Sequence, residues 1–109
     1  MATSQDTMDF LLDQLSGLAQ VSAKKMFGEY CLYVAGKPVA LVCDGQLYLK
    51  PTQAGRDRVR QVLEAAPYPG AKPHLRIPAD LWEDRDWLCQ LVQATDQALP
   101  LAKPGKKPA

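Results

Sequence analysis

The sequence is poor in the residue types that usually carry chemistry. It holds a single histidine, His74, and three serines, Ser4, Ser16 and Ser22, all in or near the first predicted helix. A histidine-based triad needs a nucleophile and an orienting acid within reach of the imidazole. His74 is therefore read as a surface or edge-strand histidine, with a Cys31–His74 or Cys43–His74 dyad left open as the alternative. The three cysteines, Cys31, Cys43 and Cys89, are odd in number and contain no CxxC pair. That excludes a disulfide framework and a zinc knuckle, and reduced thiols are the simple reading. Lys24-Lys25-Met26-Phe27-Gly28 is not followed by the further glycines of a phosphate-binding loop, so Gly28 is expected to mark a bend or bulge. No apolar run approaches the ~20 residues of a membrane span. Met1–Asp6 is polar and lacks the basic-then-apolar layout of a secretion signal, which makes the cytoplasm the expected location. Neither sign of charge dominates: 13 basic residues face 12 acidic ones, a net +1 that supplies no strong field for nucleic acid. The expectation is a protein with no catalytic set, no metal and no cofactor.

What is present is enough for one fold. A chain of 109 residues fits one domain, expected over residues 1–100. A domain of this size buries roughly two-thirds of its unfolded surface. The hydrophobic fraction of 47% agrees with a packed core. Lys103, Lys106 and Lys107, mixed with Pro104, Gly105 and Pro108, give residues 101–109 the composition of a flexible tail.

The pattern predicts an α+β fold. Met8, Leu11, Leu12 and Leu15 recur at helical spacing behind capping residues, so a helix is expected over about residues 5–18, with Phe10 as a partly covered surface aromatic. Tyr30–Val34, Pro38–Cys43 and Gln46–Lys50 read as strands separated by Ala35-Gly36 and Asp44-Gly45. Asp-Gly between two such runs is a strong hairpin signal, because a type I′ turn needs positive φ at both central residues. Two-residue loops oppose Val42 to Leu47 and Leu41 to Tyr48, and also Cys31 to Ala40 and Leu32 to Val39. One face then carries Cys31, Tyr33, Ala40, Val42, Leu47 and Leu49. The other carries Tyr30, Leu32, Val34, Val39, Leu41, Cys43, Tyr48 and Lys50. Both faces are apolar, so either helices cover both or one meets something else. A one-residue slip would reverse these assignments.

Beyond the meander, Thr52 is a fair cap for a helix over about residues 53–65. Gly55 there reflects either close helix–sheet approach or a first-turn position. The proline-rich segment 66–73 is a loop, and His74–Ile77 a further short strand. Trp87, Leu88, Leu91, Val92, Thr95 and Leu99 mark a last helix over about residues 84–99. Asp80, Glu83, Asp84 and Asp86 precede or open it, where carboxylates suit capping and the helix dipole. Cys89 falls toward the polar side and is expected to be the most exposed thiol.

The stretch Lys24–Thr52, KKMFGEYCLYVAGKPVALVCDGQLYLKPT, resembles the N-terminal domain of the TfoX/Sxy family. The features are a basic pair, Met-Phe-Gly, a Leu-Tyr strand, a hairpin and a final "LYLK" strand. The resemblance continues through PYPGAKP and the late DRDWLCQLV helix, so it covers about residues 6–100. It implies a two-layer α+β, secretion-chaperone-like domain with an N-terminal, a middle and a C-terminal helix on an antiparallel sheet of the meander plus one further strand or two. Full-length relatives carry a second, helical domain. They regulate natural competence genes with the cyclic-AMP receptor protein rather than as independent DNA readers. This chain corresponds to the first domain alone, and has Glu29 and Cys31 where many relatives place glycines.

The expected function is a non-enzymatic regulatory or protein-interaction domain acting through a protein partner, a transcription regulator for instance, or by self-association. The candidate interaction surface is Lys24, Lys25, Gly28, Tyr30, Leu32, Leu41, Tyr48 and Lys50. A small-molecule binder or thiol enzyme using Cys31 or Cys43 is the alternative. Weak direct nucleic-acid binding around Lys24, Lys25 and Lys50 comes third.

Overall fold

The computed structural model describes residues 4–18, 20–26, 29–59 and 61–99. In chain order the elements are α1 (Gln5–Gln14), β1 (Val21–Met26), β2 (Glu29–Val34), β3 (Lys37–Cys43), β4 (Gln46–Leu49), α2 (Gln53–Arg58), β5 (Glu64–Ala65), β6 (His74–Ile77), a 3-10 helix (Ala79–Glu83) and α3 (Arg85–Ala98). The six strands form one antiparallel sheet in the order β1-β2-β3-β4-β6-β5. The fold is the expected α+β arrangement with three α-helices.

Both meander turns take the expected shape. Asp44 and Gly45 have φ of 54° and 73°, and Ala35 and Gly36 have 51° and 81°. Asp44-Gly45 sets the predicted register, Val42 opposite Leu47 and Leu41 opposite Tyr48. The first hairpin departs from its prediction. Val34 pairs with Lys37 and Tyr33 with Pro38, but Leu32 then pairs with Ala40 and Cys31 with Leu41. A bulge inserts Val39 as an extra residue on β3. The expected faces are corrected accordingly. Tyr30 and Leu32 share a face with Ala40, Val42, Leu47 and Leu49, while Cys31 and Tyr33 share the other with Leu41, Cys43 and Tyr48. The sequence carries no signal for the extra residue. Val39 and Ala40 are both fully buried core residues, and the carbonyl of Val39 accepts the Lys50 N–H at 3.0 Å.

The core lies on the first of these faces. Met8, Leu11 and Leu15, Trp82 of the 3-10 helix, and Leu88, Leu91 and Val92 of α3 pack with Leu32, Val42, Leu47, Leu49, Leu75 and Ile77. Ser4 caps α1 by accepting the Thr7 N–H at 3.2 Å, and Asp84 caps α3 by accepting the Trp87 N–H at 3.2 Å. Phe10 stays 41% exposed. At the other end of α3, Lys37 reaches across from β3. Its ammonium donates to the carbonyls of Asp96 and Leu99 at 2.7 and 3.0 Å and pairs with the Asp96 carboxylate at 3.2 Å. The Asp96 carbonyl also accepts the Leu99 N–H at 3.3 Å, so the ammonium adds a charged cap to this helix C-terminus.

Two predicted helices are shorter than expected. α1 ends at Gln14, short of residue 18. The middle helix stops at Arg58, because Val59 turns extended at φ −75° and ψ 147° so that Glu64–Ala65 can pair beside β6. Arg56 of α2 forms an ion pair with Glu64. Gly55 combines both explanations offered for it. It is the third residue of α2, its N–H donates to Thr52 Oγ1 at 2.9 Å, and a Cβ there would lie 3.1–3.3 Å from Thr52, Thr95 and Leu75. The sheet has three strands beyond the meander where one or two were expected, and β1 and β5 were not located in the sequence: VSAKKM has weak strand character and β5 is two residues long. Gly28 and the tail from residue 101 onward lie outside the described residues.

Candidate interaction face

Cross-strand pairing puts one straight row across the second face: Lys24 on β1, Cys31 on β2, Leu41 on β3, Tyr48 on β4 and Arg76 on β6. Ser22, Tyr33 and Pro38 flank it on one side, and Glu29, Cys43 and Gln46 on the other, with the Glu29 carboxylate accepting the Asp44 N–H at 3.0 Å. Among the described residues, none from the three helices packs in a core with this row. Cys31, Cys43 and Tyr48 still expose only 4%, 7% and 9% of their surface, so they form the floor of the face. Tyr33, Leu41, Gln46 and Arg76 are half-buried and Lys24 is exposed. The Lys24 ammonium lies 5.9 Å from the Tyr33 ring centroid, within cation–π range. The Arg76 guanidinium donates to Gln46 Oε1 at 3.3 Å.

Three titratable groups of this face are held neutral. The Tyr33 phenol is pushed up first by its hydrogen bond with the Cys31 thiol and then by burial. Burial pushes the Cys43 thiol up, helped by the negative charges of Glu29 and Asp44. Burial also raises the Tyr48 phenol, against an opposing pull from Arg76. Tyr48 in the row, and Tyr33 and Cys43 beside it, are therefore uncharged at neutral pH, and a cation stands at each end of the row.

Of the eight expected surface residues, Gly28 lies outside the described residues and the others do not gather on one face. Lys24, Leu41 and Tyr48 fall together on the row. Tyr30 and Leu32 are buried under the helices, and Lys25 pairs with Tyr30 and points to that side of β1. Lys50 follows β4 and is half-buried. Sequence reasoning missed Arg76 and Gln46 as members of the face. The signal was there: in His74–Ile77, apolar Leu75 and Ile77 alternate with polar His74 and Arg76, which sends Arg76 away from the core.

The same register separates the suggested dyads. His74 shares the face, but strand spacing of about 4.8 Å and a rise of about 3.4 Å per residue put it about 15 Å or more from Cys31 and Cys43. Its Nδ1–H donates to the Lys72 carbonyl at 2.8 Å. Among the described residues no three His, Cys, Asp or Glu side chains gather to hold a metal. A depression between α2 and α3, lined by Arg58, Gln90, Gln93, Ala94 and Gln97, is shallow and polar, unlike the enclosed apolar clefts that take small ligands. Cys89, half-buried while the other two thiols are buried, is the most exposed as expected, and its Sγ donates to the Gln14 carbonyl at 3.3 Å.

The fold and this face define a small antiparallel α+β domain whose described helices pack on one side of the sheet. The sequence pattern of the TfoX N-terminal domain matches residues 13–99, and the chain belongs to that family. A relative from Spirochaeta aurantia, described as an uncharacterized 12.7 kDa protein in the trpE 5′ region, is 40% identical over 106 residues. The match covers 97% of this chain and 91% of the relative. No helix among the described residues is long and apolar enough to cross a membrane.

Proposed function

We propose that this chain is a non-enzymatic protein-interaction domain with a regulatory role, and that the Lys24–Arg76 face of its sheet is the contact surface. One observation carries the reading: all helix residues of the core pack on the face of Leu32, Leu47 and Leu49, leaving Leu41 and Tyr33 half-exposed on the other. A sheet face with an apolar middle has reason to be covered. Membership of the TfoX N-terminal domain family supports a regulatory setting, with transcription as the process and a transcription regulator as the partner. The raised pKa of the Cys43 thiol, the burial of Cys31 and the distance of both from His74 argue against thiol catalysis. A nucleic-acid platform would need freely exposed aromatic rings, whereas Tyr48 is in the floor and the Tyr33 ring already faces Lys24.

The test compares the wild type with Leu41→Asp, after circular dichroism confirms the fold of both. Proteins captured from cells of the source organism by the wild type should be lost with Leu41→Asp. They should be kept by an exposed α1 variant, Asp9→Ser. Capture that ignores Leu41 would reject this face.

A further inference from the structure

Resting on that contact face, we infer that it binds an extended acidic segment of another protein, with two carboxylates that engage Lys24 and Arg76 on either side of an apolar stretch lying over Leu41. The spacing follows from the pairing. Lys24, Cys31, Leu41, Tyr48 and Arg76 stand on successive strands. Four strand spacings of about 4.8 Å place the two cations about 19 Å apart. An extended chain advances about 3.3 Å per residue, so the matching carboxylates are about six residues apart. Neither cation is paired with a carboxylate among the described residues: Lys24 lies over the Tyr33 ring and Arg76 donates to the Gln46 amide. Both are free to accept an anionic partner without first breaking an ion pair.

Two arguments favour such a segment over a second copy of this chain. The first is charge. Stacking two copies of the face about a twofold axis along the strands sets Lys24 against Arg76 of its twin. An axis across the strands sets Lys24 against Lys24 and Arg76 against Arg76. Every aligned sheet-on-sheet packing therefore brings like charges together at both ends of the row. The second is size. Five strands wide and three cross-strand rows deep, the face offers about 500 Å², short of the ~800 Å² per partner of a standard stable interface. A short segment needs less. Phosphates would also satisfy the two cations, but the thiol and Leu41 middle of the row offers nothing to a sugar–phosphate backbone.

The experiment selects a random twelve-residue peptide library against the full chain and measures the enriched peptides by fluorescence polarisation. Enriched sequences should carry two Asp or Glu about six positions apart around an apolar stretch. Lys24→Glu and Arg76→Gln should each weaken them about fivefold, and the pair about twentyfold. Lys24 is exposed on an edge strand, so that variant tests the charge without burdening the fold. Lys25→Glu, on the other side of β1, should leave binding unchanged. The inference is overturned if no peptide is enriched, if the enriched peptides are neutral or basic, or if a single-stranded oligonucleotide binds more tightly than they do. It is overturned equally if Lys24→Glu has no effect, or if it converts a monomer into a dimer. If captured cellular partners still depend on Leu41 while Lys24 and Arg76 are irrelevant, the contact face stands and only the acidic chemistry fails.

Discussion

Both faces of the sheet carry buried apolar residues, and the two have different fates. On one, Leu32, Val42, Leu47, Leu49, Leu75 and Ile77 disappear beneath three helices and a 3-10 helix. On the other, Cys31, Leu41, Cys43 and Tyr48 form a floor bounded by Lys24 and Arg76, with no described helix above them. The edges alone do not separate them: on the covered side Lys37 uses its charge to hold a helix terminus, and Lys25 stands exposed at the β1 edge. What separates core from contact surface here is the set of helices over the first face, while the second keeps Lys24 and Arg76 at the two ends of one uncovered row.

The largest test of this contrast is truncation in the middle of each face. Leu49→Ala, at a fully buried site, should cost about 2–5 kcal/mol. Leu41→Ala should cost less than about 1 kcal/mol, both read from urea denaturation. Equal losses would mean that the second face is core as well. Next is the contrast of cations. Lys37→Met removes a charged cap with a side chain only 11% exposed and should cost about 2 kcal/mol. Lys24→Met should leave stability within about 0.5 kcal/mol. Gly55→Ala measures how closely α2 sits on the covered side. Alanine gains helix propensity, but its Cβ would meet Thr52, Thr95 and Leu75 at 3.1–3.3 Å, for a net loss of about 1 kcal/mol in thermal unfolding.

The smallest effect belongs to the second face. The Cys43 pKa is raised above the ordinary thiol value of 9.0, so the folded state holds its proton more tightly than the unfolded chain. Its contribution is complete below that value and is lost as pH rises through the folded pKa. Tyr48, raised above 10.0, acts in the same direction at higher pH. Stability should decline from about pH 9 upward, and less steeply in Cys43→Ala. At pH 8 iodoacetamide should label Cys89 well before Cys43; rapid labelling of Cys43 in the folded protein would revive a thiol chemistry at this face.

Much of the fold was legible because its signals are local. Asp44-Gly45 specifies a turn through backbone geometry alone, and that turn set a register that held. His74–Ile77 was legible from its strand residues between prolines. Failures arose where distant contacts overrode local preference. Residues 59–63 have helical spacing, but pairing of Glu64 and Ala65 with β6 draws the chain out of the helix. VSAKKM has little strand character of its own and becomes a strand because β2 offers it a partner. Tyr30 and Leu32, with Lys25 paired beside Tyr30, left the expected contact surface through one inserted residue, Val39.

The sequence by itself determined the meander strands, the Asp44-Gly45 type I′ turn, the capping of the helices and the presence of apolar residues on both sides of the sheet. Each rests on side chains within a few positions of one another. Only the tertiary structure decided which side the helices take. In a strand whose side chains alternate, one bulge exchanges the faces of everything before it. The bulge at Val39 placed Tyr30 and Leu32 in the core and left Lys24, Cys31 and Tyr33 on the face that carries Leu41, Tyr48 and Arg76.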